Sequence, residues 1–214
     1  MATEVSAAPP TYPATLIIDY PDRPLNRLTT FFRIFVAVPI AIILFLVTSG
    51  NSNLGEPSGW SWLYSAGGIL FLAPLLMILF RQKYPKWWFD WNVALFKFST
   101  RVVTYVSLLT DVYPSTDEEQ AVHIEILYPD VPKDLNRWLP LVKWFLAIPH
   151  YFVLFFLGIA AFVCVVIAWF AILFTGRYPR GLFDFLVGVY RWSLRVAAYA
   201  FLLTTDRYPF FSLT

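Results

Sequence analysis

Residues 183–209 read FDFLVGVYRWSLRVAAYAFLLTTDRYP, and residues 89–114 read FDWNVALFKFSTRVVTYVSLLTDVYP. Both stretches are apolar enough to enter a bilayer, yet each keeps two cations at its centre. The match widens in both directions. YPKWWFDWNVALFKFSTRVVTYVSLLT (84–110) and YPRGLFDFLVGVYRWSLRVAAYAFLLT (178–204) are identical at 12 of 27 positions. Upstream, LNRLTTFFRIFVAVP (25–39) matches LNRWLPLVKWFLAIP (135–149), and LIIDYPD (16–22) echoes EILYPD (125–130). Internal similarity recurring in the same order along the chain, at offsets of 110 and then 94 residues, marks a duplicated unit. We therefore expect a short tail at 1–11, a first repeat over 12–114, a linker at 115–121 and a second repeat over 122–214.

Composition sets the medium. Of the 214 residues, 58% are apolar and 14% charged, against about 25% charged in an ordinary soluble domain. That predicts an all-α integral membrane protein. The net charge of +2 is too small to suggest nucleic acid. The lone cysteine, Cys164, has no partner within the chain for a disulfide. The start, MATEVSAAPPTYPA, has no basic region followed by an apolar core, so it does not read as a cleavable signal.

No charged residue lies between Trp144 and Gly176. The run Leu139–Phe174 is 36 residues, roughly 54 Å as one helix against a hydrocarbon core of about 30 Å. Two short helices turning near Gly158 are expected there. In the first repeat the polar loop over 48–62 is the expected hairpin tip, between helices over 31–47 and 62–80. Each repeat then reads as a short extended segment, a transmembrane helical hairpin and an amphipathic helix. The extended segments ATLIIDY and VHIEILY are expected to pair on the basic, cytoplasmic side.

The opening pair forms the amphipathic helices. Asp90, Lys97 and Arg101 fall on one narrow stripe at helical spacing, and Asp184, Arg191 and Arg195 repeat it. No Lys or Arg lies in 34–80 or 144–176. If these two helices lie flat, every cation is on one side of the membrane, the positive-inside pattern. Cations on such a helix reach lipid phosphates, each worth about 1 kcal/mol with anionic lipid. Lys97, Arg101, Arg191 and Arg195 are therefore the expected headgroup ligands. Asp90 and Asp184, each five residues after a proline, are expected in the first helical turn, where a carboxylate complements the helix dipole.

His150 is an ionisable group inside an apolar run and thus a candidate by default. Its counterpart in the first repeat is Ile40, and no second His, Cys or acid lies near it in sequence to complete a metal site. No phosphate-binding glycine loop and no hydrolase or metalloprotease pattern occurs. No enzyme activity, cofactor or metal is expected. The expected partners are anionic membrane lipids, with a second copy or other membrane proteins. The rival reading is a small transporter or anion channel, with the amphipathic helices spanning as an inverted repeat.

The phrases LPLVKWFLAIPHYFVLFFLG, WFAILFTGRYPRGLFDF and RWSLRVAAYAFLLTTDRYPFFSL resemble the bacterial membrane family known as domain of unknown function 4389. The likeness runs over nearly all of 12–213 and is strongest over 124–213. The first repeat departs from it, with Lys97 for Arg191, Phe98 for Trp192 and a longer hairpin tip. The resemblance implies a multi-pass protein of the bacterial plasma membrane and no particular activity.

Overall fold

The computed structural model describes residues 12–21, 24–49, 68–116, 118 and 120–213. The tail over 1–11 and most of the polar loop expected at the first hairpin tip lie outside these residues. Among them the elements run β1 (Ala14–Ile18), α1 (Arg27–Ser49), α2 (Gly68–Arg81), α3 (Lys86–Val106), β2 (Val122–Ile126), α4 (Val131–Asp134), α5 (Pro140–Leu146), α6 (Ile148–Thr175) and α7 (Arg180–Ala200). The fold is mostly helical, and the two extended segments pair as expected.

The strands are antiparallel, with Leu16 opposite Ile124, Thr15 opposite Glu125 and Ile17 opposite His123. Leu16 and Ile124 are counterparts when the Tyr-Pro-Asp triplets are aligned, so a local two-fold axis passes between them. Side chains alternate across a strand. Ala14, Leu16, Ile18, Val122 and Ile124 are buried, while Ile17, His123 and Glu125 face outward. The inner face joins a core with Phe183, Leu186 and Leu194 of α7 and with Ala168 and Ile172 of α6.

Prolines start the amphipathic helices. Pro85 precedes α3 and Pro179 precedes α7, each with extended backbone, and proline lacks the N–H that a first turn cannot use. Gly176 ends α6 at φ 75°, and its N–H donates to the Ile172 carbonyl. This left-handed turn reverses the chain into α7. Near the far ends of the two helices the Trp192 indole N–H meets His150, and the Tyr151 and Phe201 rings adjoin. The helices therefore run antiparallel along their whole shared length.

Residues 139–174 do not form the expected hairpin. Gly158 lies inside α6, which continues unbroken for 28 residues, about 42 Å. The break falls at Ala147, between α5 and α6, because Pro149 has no N–H to donate to the preceding turn. A single glycine in so apolar a run does not stop a helix. In α1, where Pro39 is internal, the axis bends by 52° between Arg27–Arg33 and Phe35–Leu44.

Among the described residues α6 is long and apolar enough to cross a membrane, and the bent Arg27–Leu44 segment makes a second if counted as one span. Only 11% of the most apolar window of α6 is buried. Phe152, Phe155, Phe162, Phe170 and Phe174 all stand exposed. Exposed rings continue onto α1 at Phe31 and Phe35 and onto α5 at Trp144 and Phe145. The result is a layered body: a strand pair with a polar outer face, then α3 and α7, then an apolar layer of α1, α5 and α6.

Candidate functional site

Two of the four cations singled out by spacing converge on one cavity. Arg191 and Arg195 line a space of about 310 Å³ between α7, β1 and the C-terminal segment, with Tyr12, Leu16 and Phe210. The i, i+4 spacing puts both on one face of α7, and that face is turned to β1. Arg191 Nε donates to the Leu16 carbonyl at 2.9 Å. Its two terminal nitrogens meet no acceptor among the described residues. Arg195 is 4% exposed. It donates to the Ser212 carbonyl, and its guanidinium lies 3.8 Å from the Phe210 ring centroid.

Among the described residues no Asp or Glu lines this space. Burial holds the Arg195 guanidinium below its ordinary pKa, with Arg191 adding to the effect and Tyr12 opposing it. Burial likewise raises the Tyr12 phenol, which sits 3.2 Å from the Arg195 and Arg207 carbonyls. Two neighbouring guanidiniums, beside a phenol that keeps its proton, form an environment suited to an anion. The planar fork of Arg191 matches a phosphate or carboxylate in pairs of hydrogen bonds.

Lys97 and Arg101 are the counterparts on α3, which packs on β2. Arg101 donates to the Ser115 carbonyl at 2.7 Å, and Lys97 is half-buried with no ion-pair partner among the described residues. The four cations thus divide into two pairs, one turned to β1 and the other with Arg101 held by the Ser115 carbonyl of the linker. Asp90 and Asp184 are exposed. Each is the fifth residue of its helix, so neither occupies the expected first turn.

His150 is buried under the C-terminal segment. Its Nδ1 accepts from Trp192 Nε1 at 3.1 Å, and its ring stacks on Phe211 with centroids 4.0 Å apart. These contacts tie the segment carrying Phe210 and Ser212 to α6, and so shape one wall of the cavity. Among the described residues no group of three or more His, Cys, Asp or Glu is placed to hold a metal.

Sequence reasoning passed over two acids that organise the structure. Asp111 pairs with Arg33 and accepts from the Asn26 N–H. Asp206 pairs with Lys143 and accepts from the Asn136 N–H. Arg33 sits over the Tyr105 ring and Lys143 over that of Tyr199. Every one of these residues matches its counterpart in the other copy. The signal was the Asp-x-Tyr-Pro phrase closing each unit, whose partner lies about 70 residues away.

Other matching contacts cross between the copies. The Tyr20 hydroxyl donates to the Tyr178 carbonyl and that of Tyr128 to the Tyr84 carbonyl. Arg27 reaches the Phe174 carbonyl and Arg137 that of Leu79.

Residues 138–212, which contain α5, α6, α7 and both arginines of the cavity, match the model of a protein family described as domain of unknown function (DUF4389). No curated protein and no solved structure matches the chain.

Proposed function

We propose, for a chain whose residues 138–212 carry this domain, a non-enzymatic membrane protein that binds anionic lipid headgroups as a scaffold or accessory subunit of a larger assembly. Arg191 and Arg195 are its principal ligands, with Lys97 and Arg101 as the second pair. The observation that carries this reading is the two-arginine cavity standing one helix away from an exposed apolar layer. A headgroup and its chains need those two environments side by side.

The layering also supports how the chain sits. His123, Asp19 and Glu125 lie on the exposed outer face of the strand pair, which packs on α7 at the level of its central Arg191. Open sheet edges and charges do not occur against lipid in the hydrocarbon region. If α7 crossed the bilayer as a transporter or channel would require, this face would meet hydrocarbon. With α3 and α7 lying in the headgroup zone, the strands face water and α1, α5 and α6 reach into lipid. The clustering of Lys and Arg supports a cytoplasmic position for the strand side in a bacterial plasma membrane, with the apolar segments as its passes. The matched contacts around Asp111 and Asp206, with the crossed ones at Tyr20 and Tyr128, support two interlocked repeats.

The test is lipid selectivity in nanodiscs of mixed phosphatidylglycerol and phosphatidylcholine, read by native mass spectrometry. Wild type should retain phosphatidylglycerol preferentially. Arg191→Gln should lose about fivefold of that preference, the equivalent of roughly 1 kcal/mol per cation. Equal retention of the two lipids by wild type would sink the reading.

A further inference from the structure

A second cavity, separate from the arginine pair, lies between α1, α6 and α7. Its volume is about 630 Å³, and Gly158, Ala161, Phe162, Val165 and Val166 of α6 form much of its wall. Sites that take small apolar ligands have this size and this mostly apolar lining with a few placed polar groups. Phe162 and Val166 also belong to the exposed apolar surface, so the cavity is continuous with that surface.

At the α1 wall stand Thr30 and Arg33, which are 1% and 2% exposed. Arg33 spends its terminal nitrogens on Asp111 and on the Tyr105 and Thr110 carbonyls. Its Nε, like Thr30 Oγ1, is buried with no partner among the described residues. Both are donors, and a buried donor without an acceptor is costly.

The two copies diverge at this place. The counterparts of Thr30, Ser107 and Tyr190 are Pro140, Phe201 and Phe96, so the second location loses each of those hydroxyls. In this cavity Ser107 and Tyr190 hydrogen-bond each other at 2.5 Å across α3 and α7. Three hydroxyls around the two idle donors are thus peculiar to this one location.

We infer that this cavity is a binding slot for one membrane acyl chain, whose carbonyl or carboxyl oxygen accepts from Thr30 Oγ1 and Arg33 Nε. The chain enters laterally from the lipid-facing surface past Phe162 and Val166. An esterified phospholipid and a free fatty acid share this chemistry. The slot shares no lining residue with the headgroup cavity, so either proposal stands if the other fails.

The experiment uses the full chain in nanodiscs with two probes, diazirine-labelled palmitic acid and phosphatidylglycerol with the diazirine on its acyl tail. Crosslinked peptides are mapped. A Cβ at Gly158 meets nothing within 4 Å, so Gly158→Leu keeps the helix and fills the slot. Gly181 is equally open and lies outside the slot, so Gly181→Leu is the control. Crosslinks should concentrate at 154–169 and 189–193, vanish in Gly158→Leu and persist in Gly181→Leu. Thr30→Val should reduce them about tenfold, as loss of one hydrogen bond in a buried site does. The probe that labels identifies the source of the chain. Labelling spread evenly along 152–174 and unchanged by Gly158→Leu would overturn the inference, as would the absence of crosslinks to the slot with both probes.

Discussion

Asp111 and Asp206 each neutralise a cation taken almost fully out of water. The Lys143 side chain is 0% exposed, with its ammonium 2.6 Å from Asp206. It also donates to the Thr205 carbonyl. Removing one partner of such a pair strands the other charge, at a typical cost of about 3–5 kcal/mol. Asp206→Asn should therefore lower the thermal midpoint in detergent by many degrees. Lys143→Met combined with Asp206→Asn should recover most of the loss, since a buried pair replaced by apolar groups is often neutral. A double variant no more stable than Asp206→Asn alone would show that the acid matters for the Asn136 N–H and not for the lysine.

At the scale of elements, α7 is shaped by what lies against it on two sides. Its apolar face packs on α6 and its cationic face on β1 and the C-terminal segment. Gly188 is where that segment comes closest: a Cβ there would meet the Leu213 carbonyl oxygen at 2.7 Å. Gly188→Ala should push the segment away, loosen the Arg195 contacts with Ser212 and Phe210, and open the two-arginine cavity. Limited proteolysis should then cut within 207–213 several times faster than in wild type, with the helical content unchanged. Wild-type cleavage rates in this variant would mean that the close approach at Gly188 does not hold the segment.

For the whole molecule, the decisive property is the order of its layers. A polar sheet face on one side and a continuous apolar layer on the other fit a body lying along a membrane surface. In a Cys164→Ser background, cysteines placed at Glu125, Ile17 and Ser115 should all react with a membrane-impermeant maleimide from a single side. Reaction of Ser115→Cys from the side opposite to Ile17→Cys would instead favour amphipathic helices that cross the bilayer and a conduit between the repeats.

Much of this was written locally in the chain and could be read there. The matched phrases placed the two amphipathic helices, though not their first turns, and the extended segments at ATLIIDY and VHIEILY were found as strands. The wheel positions put Arg191 and Arg195 on a common face, because residues three and four apart share a side of a helix. Nothing local says what that face looks at: β1 and the C-terminal segment arrive from far away in sequence, and they turned an outward stripe into the wall of a cavity. The pairing of Asp206 with Lys143 is invisible to spacing for the same reason. The unbroken α6 shows the reverse error, since length alone suggested a hairpin where no residue strong enough to stop a helix was present. Sequence by itself determined the apolar character, the internal similarity of its phrases and the common face of Arg191 and Arg195. Packing between distant segments alone decided which charges are buried, which donors are left idle and which apolar surface stays exposed.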